Sequence, residues 1–382
     1  MHNLRSINHQ AFSKISAQDF FLLAIILLLA ILTRFYHIGY DSFWVDEGFT
    51  AVTATLPFEQ MWNRTIHDTH QPLHGILLHF WAQLMGRDEI ALRSFSAVFN
   101  ILTLLLLFPL GKLLFNRKIA YLTMLIFLVS PIQVHFAQEA RSYSLMLFLS
   151  TLSIFTFLKS IRDKQRSYIA VHILSTGLLV LTHVYGWLIL AFENLWYFFS
   201  LKDKKNFQQY RQLLLMNLGV LLIFLPYLSR FLEIISSVQD AFWIKRPTLL
   251  HLAGVFLQFS GSRLALVLSA LLIFSGVIYI FVNKTRPVVE SSSVLFNWLW
   301  LMSVVLLPFL ISQFLRPILV PRYALSATVP FYFLIAYGIY HFPGKGGKLI
   351  ALMIFLLFSA STLYHRSQEA TREPWRDAVS EL

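Results

Sequence analysis

Long apolar segments follow one another along nearly the whole chain, separated by short polar stretches. A helix needs about 20 apolar residues to cross a bilayer. The pattern predicts eleven membrane spans, near residues 20–39, 92–112, 118–136, 142–160, 168–183, 186–201, 212–229, 263–282, 293–313, 323–341 and 348–364. The fifth and sixth are short and separated only by HVYG, which leaves the count open by one. We therefore predict an all-α fold, a polytopic transmembrane helical bundle.

Two other apolar segments are not predicted to form spans of their own. PLHGILLHFWAQLMG, at 72–86, has too few residues to span, and a segment of this length is expected in the membrane interface. A similar amphipathic segment follows at 228–244. The long loop at 40–91 is therefore predicted to contain amphipathic juxtamembrane helices.

The composition agrees with a membrane protein. Hydrophobic residues make up 57% of the chain and charged residues only 13%, whereas a soluble domain carries about 25% charged residues. The sequence contains no cysteine, which excludes disulfides and thiolate metal sites. The first apolar segment is too long for a signal-peptide core and has no small-residue cleavage site, so we expect it to remain as the first helix.

The net charge of +12 is distributed unevenly across the predicted spans. If the N-terminus is inside, the inner segments hold 17 of the 31 basic residues against four acidic ones. Such an excess is typical of a cytoplasmic face. The charge is thus a topology signal and gives no reason to expect a nucleic-acid partner. The longer loops, 40–91 and 230–262, fall outside, where we expect the function.

Ionisable residues stand out on this outer side. Singly, each has an ordinary explanation: a solvated helix end, polar positions on an interfacial helix, or arginines that reach the membrane surface. Glu193 lies within a span and should face a cavity or a partner, where a structural hydrogen bond explains it as well as catalysis does. The outer groups are Asp46-Glu47; Asp68, His70 and His74; Glu139 and Arg141; and Arg316 and Arg322.

Together these groups suggest chemistry at the membrane surface. Acids in the first outer loop supply a candidate general base, and arginines at later helix entries supply a candidate anion clamp. The planar guanidinium group suits phosphate. An anion that meets such a site is expected to be lipid-linked.

An ordered set of motifs covers nearly the whole chain. They are Asp46-Glu47; His70-Gln71-Pro72-Leu73; Leu92-Arg93-Ser94-Phe95-Ser96-Ala97; Ala140-Arg141-Ser142-Tyr143-Ser144-Leu145; His183-Val184-Tyr185-Gly186; and Pro321-Arg322-Tyr323. The set resembles the polyprenyl-phosphate-dependent glycosyltransferases of the C-type membrane fold. The resemblance is to the branch with protein O-mannosyltransferases, lipid A aminoarabinose transferases and bacterial dolichyl-phosphate-mannose-type enzymes.

Two features depart from that family. Gln71 stands where the family has the first proline of a His-Pro-Pro-Leu motif. Longer relatives also continue into a soluble outer domain, so the chain is expected to be either a compact member or a shortened one. We assign 1–364 to the transmembrane domain, with 40–91 as its catalytic outer loop, and 365–382 to a short extracytoplasmic tail.

The resemblance implies an inverting transferase that moves a sugar from a polyprenyl phosphate to a hydroxyl acceptor. Asp46 would act as general base, and Glu47 would orient the acceptor or a divalent cation, the one cofactor left open. Arg141 and Arg322 would bind the donor phosphate. The predicted substrate-binding residues are His70, Tyr143, His183, Tyr185 and Tyr323. No metal ligands are assigned.

The predicted partners are the lipid bilayer, the lipid-linked sugar (undecaprenyl-linked if the protein is bacterial) and a glycan, lipid or protein acceptor. The predicted location is the cell (inner) membrane, with a cytoplasmic N-terminus and with the active site and C-terminus outside. A transporter or flippase of lipid-linked or anionic solutes is the main alternative, which predicts internal repeats and broken helices. A non-catalytic scaffold is the other, but it leaves the acid and arginine groups unexplained.

Overall fold

A computed structural model describes residues 16–200, 207–237, 245–283 and 287–368. Within these ranges the chain is helical and forms no strand, which confirms the all-α prediction. Most of the predicted tail at 365–382 and part of the amphipathic segment at 228–244 lie outside the described residues. So do several inner basic residues, namely Arg5, Lys14, Lys202, Lys204, Lys205, Lys284 and Arg286.

A succession of α-helices makes up most of the described part of the chain. In order along the sequence they are α1 (Ala17–Phe35), α2 (Val45–Thr55), α3 (Phe58–Ile66), α4 (Leu73–Met85), α5 (Glu89–Leu114), α6 (Arg117–Leu128), α7 (Pro131–Ala137), α8 (Tyr143–Asp163), α9 (Arg166–Val180), α10 (Gly186–Ser200), α11 (Phe207–Ser237), α12 (Leu249–Ser260), α13 (Arg263–Val282), α14 (Val288–Phe314), α15 (Thr328–His341) and α16 (Lys345–Gln368). A 3-10 helix, Pro321–Ala327, leads into α15. The described residues divide into two compact units: 16–36, 101–135, 246–283 and 287–368 form the first, and 37–100, 136–200, 207–237 and 245 the second.

The protein is a multi-pass membrane protein. Eight helical segments in the described part of the chain are long and apolar enough to span, or nine if α6 and α7 count as one bent span. The predicted fifth and sixth spans form α9 and α10, of 15 residues each. At 1.5 Å per residue each covers only about 22 Å, less than the hydrocarbon core of about 30 Å. The count of eleven therefore stays a prediction.

In the first unit, one span is broken between α6 and α7, which meet at an angle of 63°. Pro131 disfavours helical backbone at the preceding residue and starts α7. The buried guanidinium group of Arg34 donates to the carbonyl oxygens of Phe127 (3.0 Å) and Leu128 (2.6 Å). Both carbonyls belong to the last turn of α6, where i+4 donors are missing, although Phe127 also accepts the N–H of Ser130 (3.3 Å). Arg34 thus stabilises the break.

In the second unit, α11 differs from its prediction. The expected span at 212–229 and the start of the amphipathic segment form one helix of 31 residues. Such a helix is about 46 Å long, which exceeds the bilayer core. Arg230, near its end, donates to the carbonyls of Ile66 (2.8 Å) and His67 (3.1 Å) at the end of α3. The continuation of α11 therefore supports the first loop.

The first loop of the second unit folds as predicted, into short helices. The segment at 72–86 forms α4, which ends at Gly86 with a φ of 108° that favours glycine. The imidazole Nδ1 of the buried His79 lies 2.9 Å from the carbonyl oxygen of Ala54, which joins α4 to α2. The loop is thus a packed assembly of α2, α3 and α4.

Candidate active site

The acid pair at the start of α2 separates into one buried and one accessible carboxylate. Glu47 is fully buried and accepts two hydrogen bonds from Arg93, from Nε to Oε1 (3.0 Å) and from Nη2 to Oε2 (2.8 Å). Its Oε1 also accepts the backbone N–H of Ala140 (2.7 Å). Glu47 therefore joins α2 to α5 and to the segment just before α8.

Arg93 has no unused donor. Besides Glu47, its Nη1 donates to the carbonyls of Ile38 and Asp41 (2.8 Å each), and its Nη2 donates to that of Ser42 (3.0 Å). All five N–H groups of a guanidinium are then used. A single arginine on an apolar helix thereby fixes both the turn before α2 and the buried acid.

Asp46 points elsewhere because consecutive residues of a helix differ by about 100° in direction. Its side chain is 34% exposed, and its Oδ2 lies 3.9 Å from Nη2 of Arg141. The first turn of a helix also favours negative charge. The geometry therefore presents a partly exposed carboxylate beside a cation.

Arg141 is nine-tenths buried and is held at one end only. Its Nη1 donates to the carbonyl of Asp46 (3.2 Å) and to Oγ1 of Thr50 (2.9 Å), and its Nη2 lies 3.2 Å from Nε2 of His70. Its Nε is buried and has no hydrogen-bond partner among the described residues. The Nε–H is therefore the donor of Arg141 that no described protein group accepts.

The contact with Arg141 fixes the tautomer of His70. Arginine can only donate, so Nε2 of His70 accepts, and Nδ1 carries the proton toward Oδ1 of Asp68 at 3.1 Å. Burial raises the pKa of Asp68, but the hydrogen bonds from His70 and from the Thr69 amide outweigh burial and lower it. Asp68, His70 and Arg141 therefore form one chain of hydrogen bonds that ends beside Asp46.

An open cleft lies next to this chain, with an empty volume of about 480 Å³ that includes its mouth. Its wall is formed by α2, the loop between α3 and α4, the start of α4 and the start of α8. Among the lining residues are Thr50, His70, Gln71, His74, Arg141 and Ser142. The cleft offers a substrate space in direct contact with Arg141.

Three of the predicted substrate-binding residues do not line this cleft. Tyr143, His183 and Tyr185 are all buried. The rings of Tyr143 and His183 lie 6.4 Å apart, and those of His183 and Tyr185 lie 5.5 Å apart. Nδ1 of His183 accepts the backbone N–H of Tyr185 at 3.2 Å. This arrangement favours packing of the turn between α9 and α10.

Arg322 and Tyr323 belong to the first unit, in the 3-10 helix before α15. The Arg322 guanidinium lies 5.8 Å from the centre of the Tyr323 ring. Their assignment to the phosphate and the substrate rests on the sequence motif alone.

The residues near the acid pair do not form an obvious metal site. Both oxygens of Glu47 accept hydrogen bonds from protein donors, so this carboxylate offers no free ligand atom. Across the described ranges, no group of three or more His, Asp or Glu side chains is placed to hold a metal ion. The geometry favours a positioning role for Glu47 over the predicted contact with acceptor or cation.

Glu193 makes a buried hydrogen bond, which is one of the two explanations that its position within a predicted span left open. Its Oε1 accepts from Oγ of Ser153 at 2.7 Å, and its Oε2 lies 3.9 Å from Nε2 of His172. All three side chains are buried where α8, α9 and α10 meet. This cluster is separate from the lining of the cleft.

The sequence motif contains Arg93 but indicates no role for it. The Ala140 N–H was not among the predicted site groups. A charge within an apolar helix was the available signal for Arg93, since such a residue needs a buried partner. The backbone donor at 140 has no sequence signal, because any residue except proline supplies it.

Comparison with known proteins gives one family match and several matches of fold. Residues 69–229 match the family model for dolichyl-phosphate-mannose-protein mannosyltransferase. The crystal structure of apo ArnT from Cupriavidus metallidurans aligns with 88% of this chain at 14% identity and a TM-score of 0.67. The chain has the C-type membrane glycosyltransferase fold. The resemblance predicted from the motifs is confirmed.

Two other C-type structures show how far the likeness extends. ArnT bound to undecaprenyl phosphate aligns with 89% of this chain at 14% identity and a TM-score of 0.66. The oligosaccharyltransferase of Archaeoglobus fulgidus, in complex with zinc and sulfate, aligns with 94% at 14% identity and a TM-score of 0.56. The chain spans 63% and 64% of the two ArnT chains and 54% of the oligosaccharyltransferase. A search of curated proteins gives no match.

Proposed function

We propose that the protein is an integral-membrane glycosyltransferase that moves a sugar from a polyprenyl-phosphate donor to a hydroxyl acceptor, with inversion at the anomeric carbon. The observation that carries this proposal is the placement of Asp46 beside Arg141, which lines the cleft. The match to a mannosyltransferase family model over 69–229 supports it. A further support for the proposal is that one of the matched ArnT structures is bound to undecaprenyl phosphate.

In the proposed reaction Asp46 removes the proton of the acceptor hydroxyl. The acceptor oxygen then attacks the anomeric carbon, and the bond from that carbon to the phosphate oxygen breaks. Polyprenyl phosphate leaves as an anion, so no general acid is needed, in contrast to a glycosidase. The partial exposure of Asp46 lets an acceptor reach the carboxylate without passing through protein.

Arg141 is proposed to bind the departing phosphate. Its Nε has no hydrogen-bond partner among the described residues, whereas Nη1 is anchored by Asp46 and Thr50. Donors fixed before the reaction stabilise developing charge at little reorganisation cost. The chain through His70 to Asp68 keeps Nη2 in place and His70 in a single tautomer.

Glu47 is proposed to position Asp46. Its bonds to Arg93 and to Ala140 fix the first turn of α2 relative to the segment that carries Arg141. The distance between base and phosphate clamp then depends on a buried ion pair. We propose this role in place of acceptor or cation binding.

The cleft is proposed to face the extracytoplasmic side of the cell membrane, with the N-terminus in the cytoplasm. The excess of basic residues in the inner segments supports this orientation. The proposed partners are a lipid-linked sugar and a glycan, lipid or protein that carries the acceptor hydroxyl.

A transporter is the second candidate, and the broken span of α6 and α7 is the observation that favours it. The break, however, is filled by a buried arginine that bonds two of the freed carbonyls. Uptake of a labelled lipid-linked sugar into sealed vesicles without its hydrolysis or transfer would support the transporter.

The proposed function is tested with the purified protein in nanodiscs, given a synthetic polyprenyl-phosphate hexose and a mixture of candidate acceptors. Mass spectrometry should detect released polyprenyl phosphate. General-base catalysis contributes typically 10²–10⁴-fold, so Asp46→Asn should slow the release at least about a hundredfold. Binding of undecaprenyl phosphate should stay near normal.

Glu59→Gln is the matched control, because Glu59 is an exposed acid of the same loop, in the first turn of α3. It should keep wild-type turnover. Wild-type turnover in Asp46→Asn would contradict the base assignment, and no release by the wild-type protein with any acceptor would contradict the function.

A further inference from the structure

Part of the cleft lining has no role in the proposed mechanism. Arg141, Asp68 and His70 supply its ionisable groups. The remaining polar lining includes Gln71, His74 and Ser142, which come from the loop before α4, the first turn of α4 and the start of α8. The cleft therefore combines an anion-binding end with uncharged hydrogen-bonding groups.

His74 is the most unusual of these groups. Only 7% of its surface is exposed, and its Nε2 is buried with no hydrogen-bond partner among the described residues. Its ring contacts that of Phe95 edge-on, with centres 5.6 Å apart. Buried polar atoms without partners are uncommon in native proteins, and each calls for a reason. Because His74 also lines the cleft, a ligand is a direct explanation.

Gln71 and Ser142 have unused capacity as well. Ser142 precedes α8, but its side chain caps no backbone N–H there. The Gln71 carboxamide has no hydrogen bond to the residues that the structure describes. Each can donate and accept. Gln71 is also the residue that departs from the His-Pro-Pro-Leu motif, and a proline there would bring no hydrogen-bonding side chain.

His74 is uncharged under ordinary conditions. Burial lowers its pKa to about 3, and the positive charge of Arg141 contributes in the same direction. A neutral imidazole offers one donor and one acceptor. The wall thus presents donors and acceptors without net charge, which suits the hydroxyl groups of a polyol.

We propose that Gln71, His74 and Ser142 bind uncharged hydroxyl groups of a sugar in the cleft. This inference rests on the proposed function, since it places the sugar beside the phosphate clamp. The hydroxyls belong either to the donor sugar or to a glycan acceptor, and the two sources are separable by experiment. Gln71 is then a specificity residue.

The test compares binding of a polyprenyl-phosphate hexose with binding of the bare polyprenyl phosphate. Wild type should bind the hexose-bearing lipid more tightly. His74→Leu and Gln71→Ala should each reduce that preference about two- to tenfold, the equivalent of one hydrogen bond, with bare-lipid affinity unchanged. Gln83→Ala, an exposed change later on α4, serves as control and should keep the full preference.

His74→Leu and Gln71→Ala could instead leave the donor preference unchanged and raise the KM for a glycan acceptor. That result would support the same site and assign the hydroxyls to the acceptor. Wild-type donor preference and wild-type acceptor KM in both variants would overturn the inference. Failure of the wild-type protein to bind either lipid would overturn the proposed function and the inference with it.

Folding is monitored separately by thermal unfolding of the detergent-solubilised protein. His74→Leu removes an unpaired buried polar atom, so its midpoint should equal or exceed that of wild type. A loss of sugar preference with undiminished stability would support ligand binding over packing. A strong loss of stability would show that His74 serves the fold; His74→Asn should then keep the sugar preference if the inference holds.

Discussion

Replacement of Arg93 by methionine is expected to destabilise the protein severely, because Glu47 stays behind as a buried charge. Arg93 donates five hydrogen bonds, two to Glu47 and three to backbone carbonyls of the turn before α2. Removal of one partner of a buried ion pair costs about 3–5 kcal/mol. We expect a loss of at least that size in the free energy of unfolding.

The decisive comparison is a double-mutant cycle with Glu47→Leu. Replacing both partners by apolar residues removes the unpaired charge. Such a double replacement of an ion pair often changes the free energy of unfolding little. The three carbonyls of the turn still lose their donor in the double variant, so recovery is partial. We expect a favourable coupling energy of about 2–4 kcal/mol between positions 47 and 93.

The assay is equilibrium unfolding in mixed micelles, followed by tryptophan fluorescence. The ion pair of Arg230 and Glu233, at 2.8 Å with side chains 25% and 64% exposed, is the matched control. Its coupling should stay below about 1 kcal/mol. If the effects of Glu47→Leu and Arg93→Met on the free energy of unfolding add within about 0.5 kcal/mol, the two positions are not coupled. That result would refute the buried ion pair and the positioning role of Glu47 that depends on it.

The remaining predictions concern the phosphate clamp and the orientation. Arg141→Lys keeps the charge but loses the guanidinium fork, so its affinity for undecaprenyl phosphate, measured directly, should fall about tenfold or more. The exposed change Arg87→Lys is the control and should leave this affinity unchanged. Unchanged binding in Arg141→Lys would refute the role of Arg141 in phosphate binding. Single cysteines at Thr55 and Ser167 of this cysteine-free chain should differ in labelling by an impermeant thiol reagent, with only position 55 reacting from outside. Labelling of 167 alone would reverse the proposed topology.

The sequence by itself determined the class of protein and the general place of the site. Apolar segments of membrane length can only be helices in a bilayer, because each backbone group must bond within its own segment. The motif order predicted the C-type fold, and the short apolar segment at 72–86 predicted α4. The acid pair and Arg141 were found as candidates because charges beside membrane spans are few.

Only the tertiary structure decided what each of these residues does. Two adjacent acids are equivalent in a sequence, but helix geometry turns Glu47 into the interior and Asp46 toward Arg141. The role of Arg93 depends on partners 46 to 55 positions away along the chain. Nε2 of His74 is unpaired because no described donor or acceptor lies within hydrogen-bonding distance of it. Such relations arise from long-range packing, and a linear pattern carries no record of them.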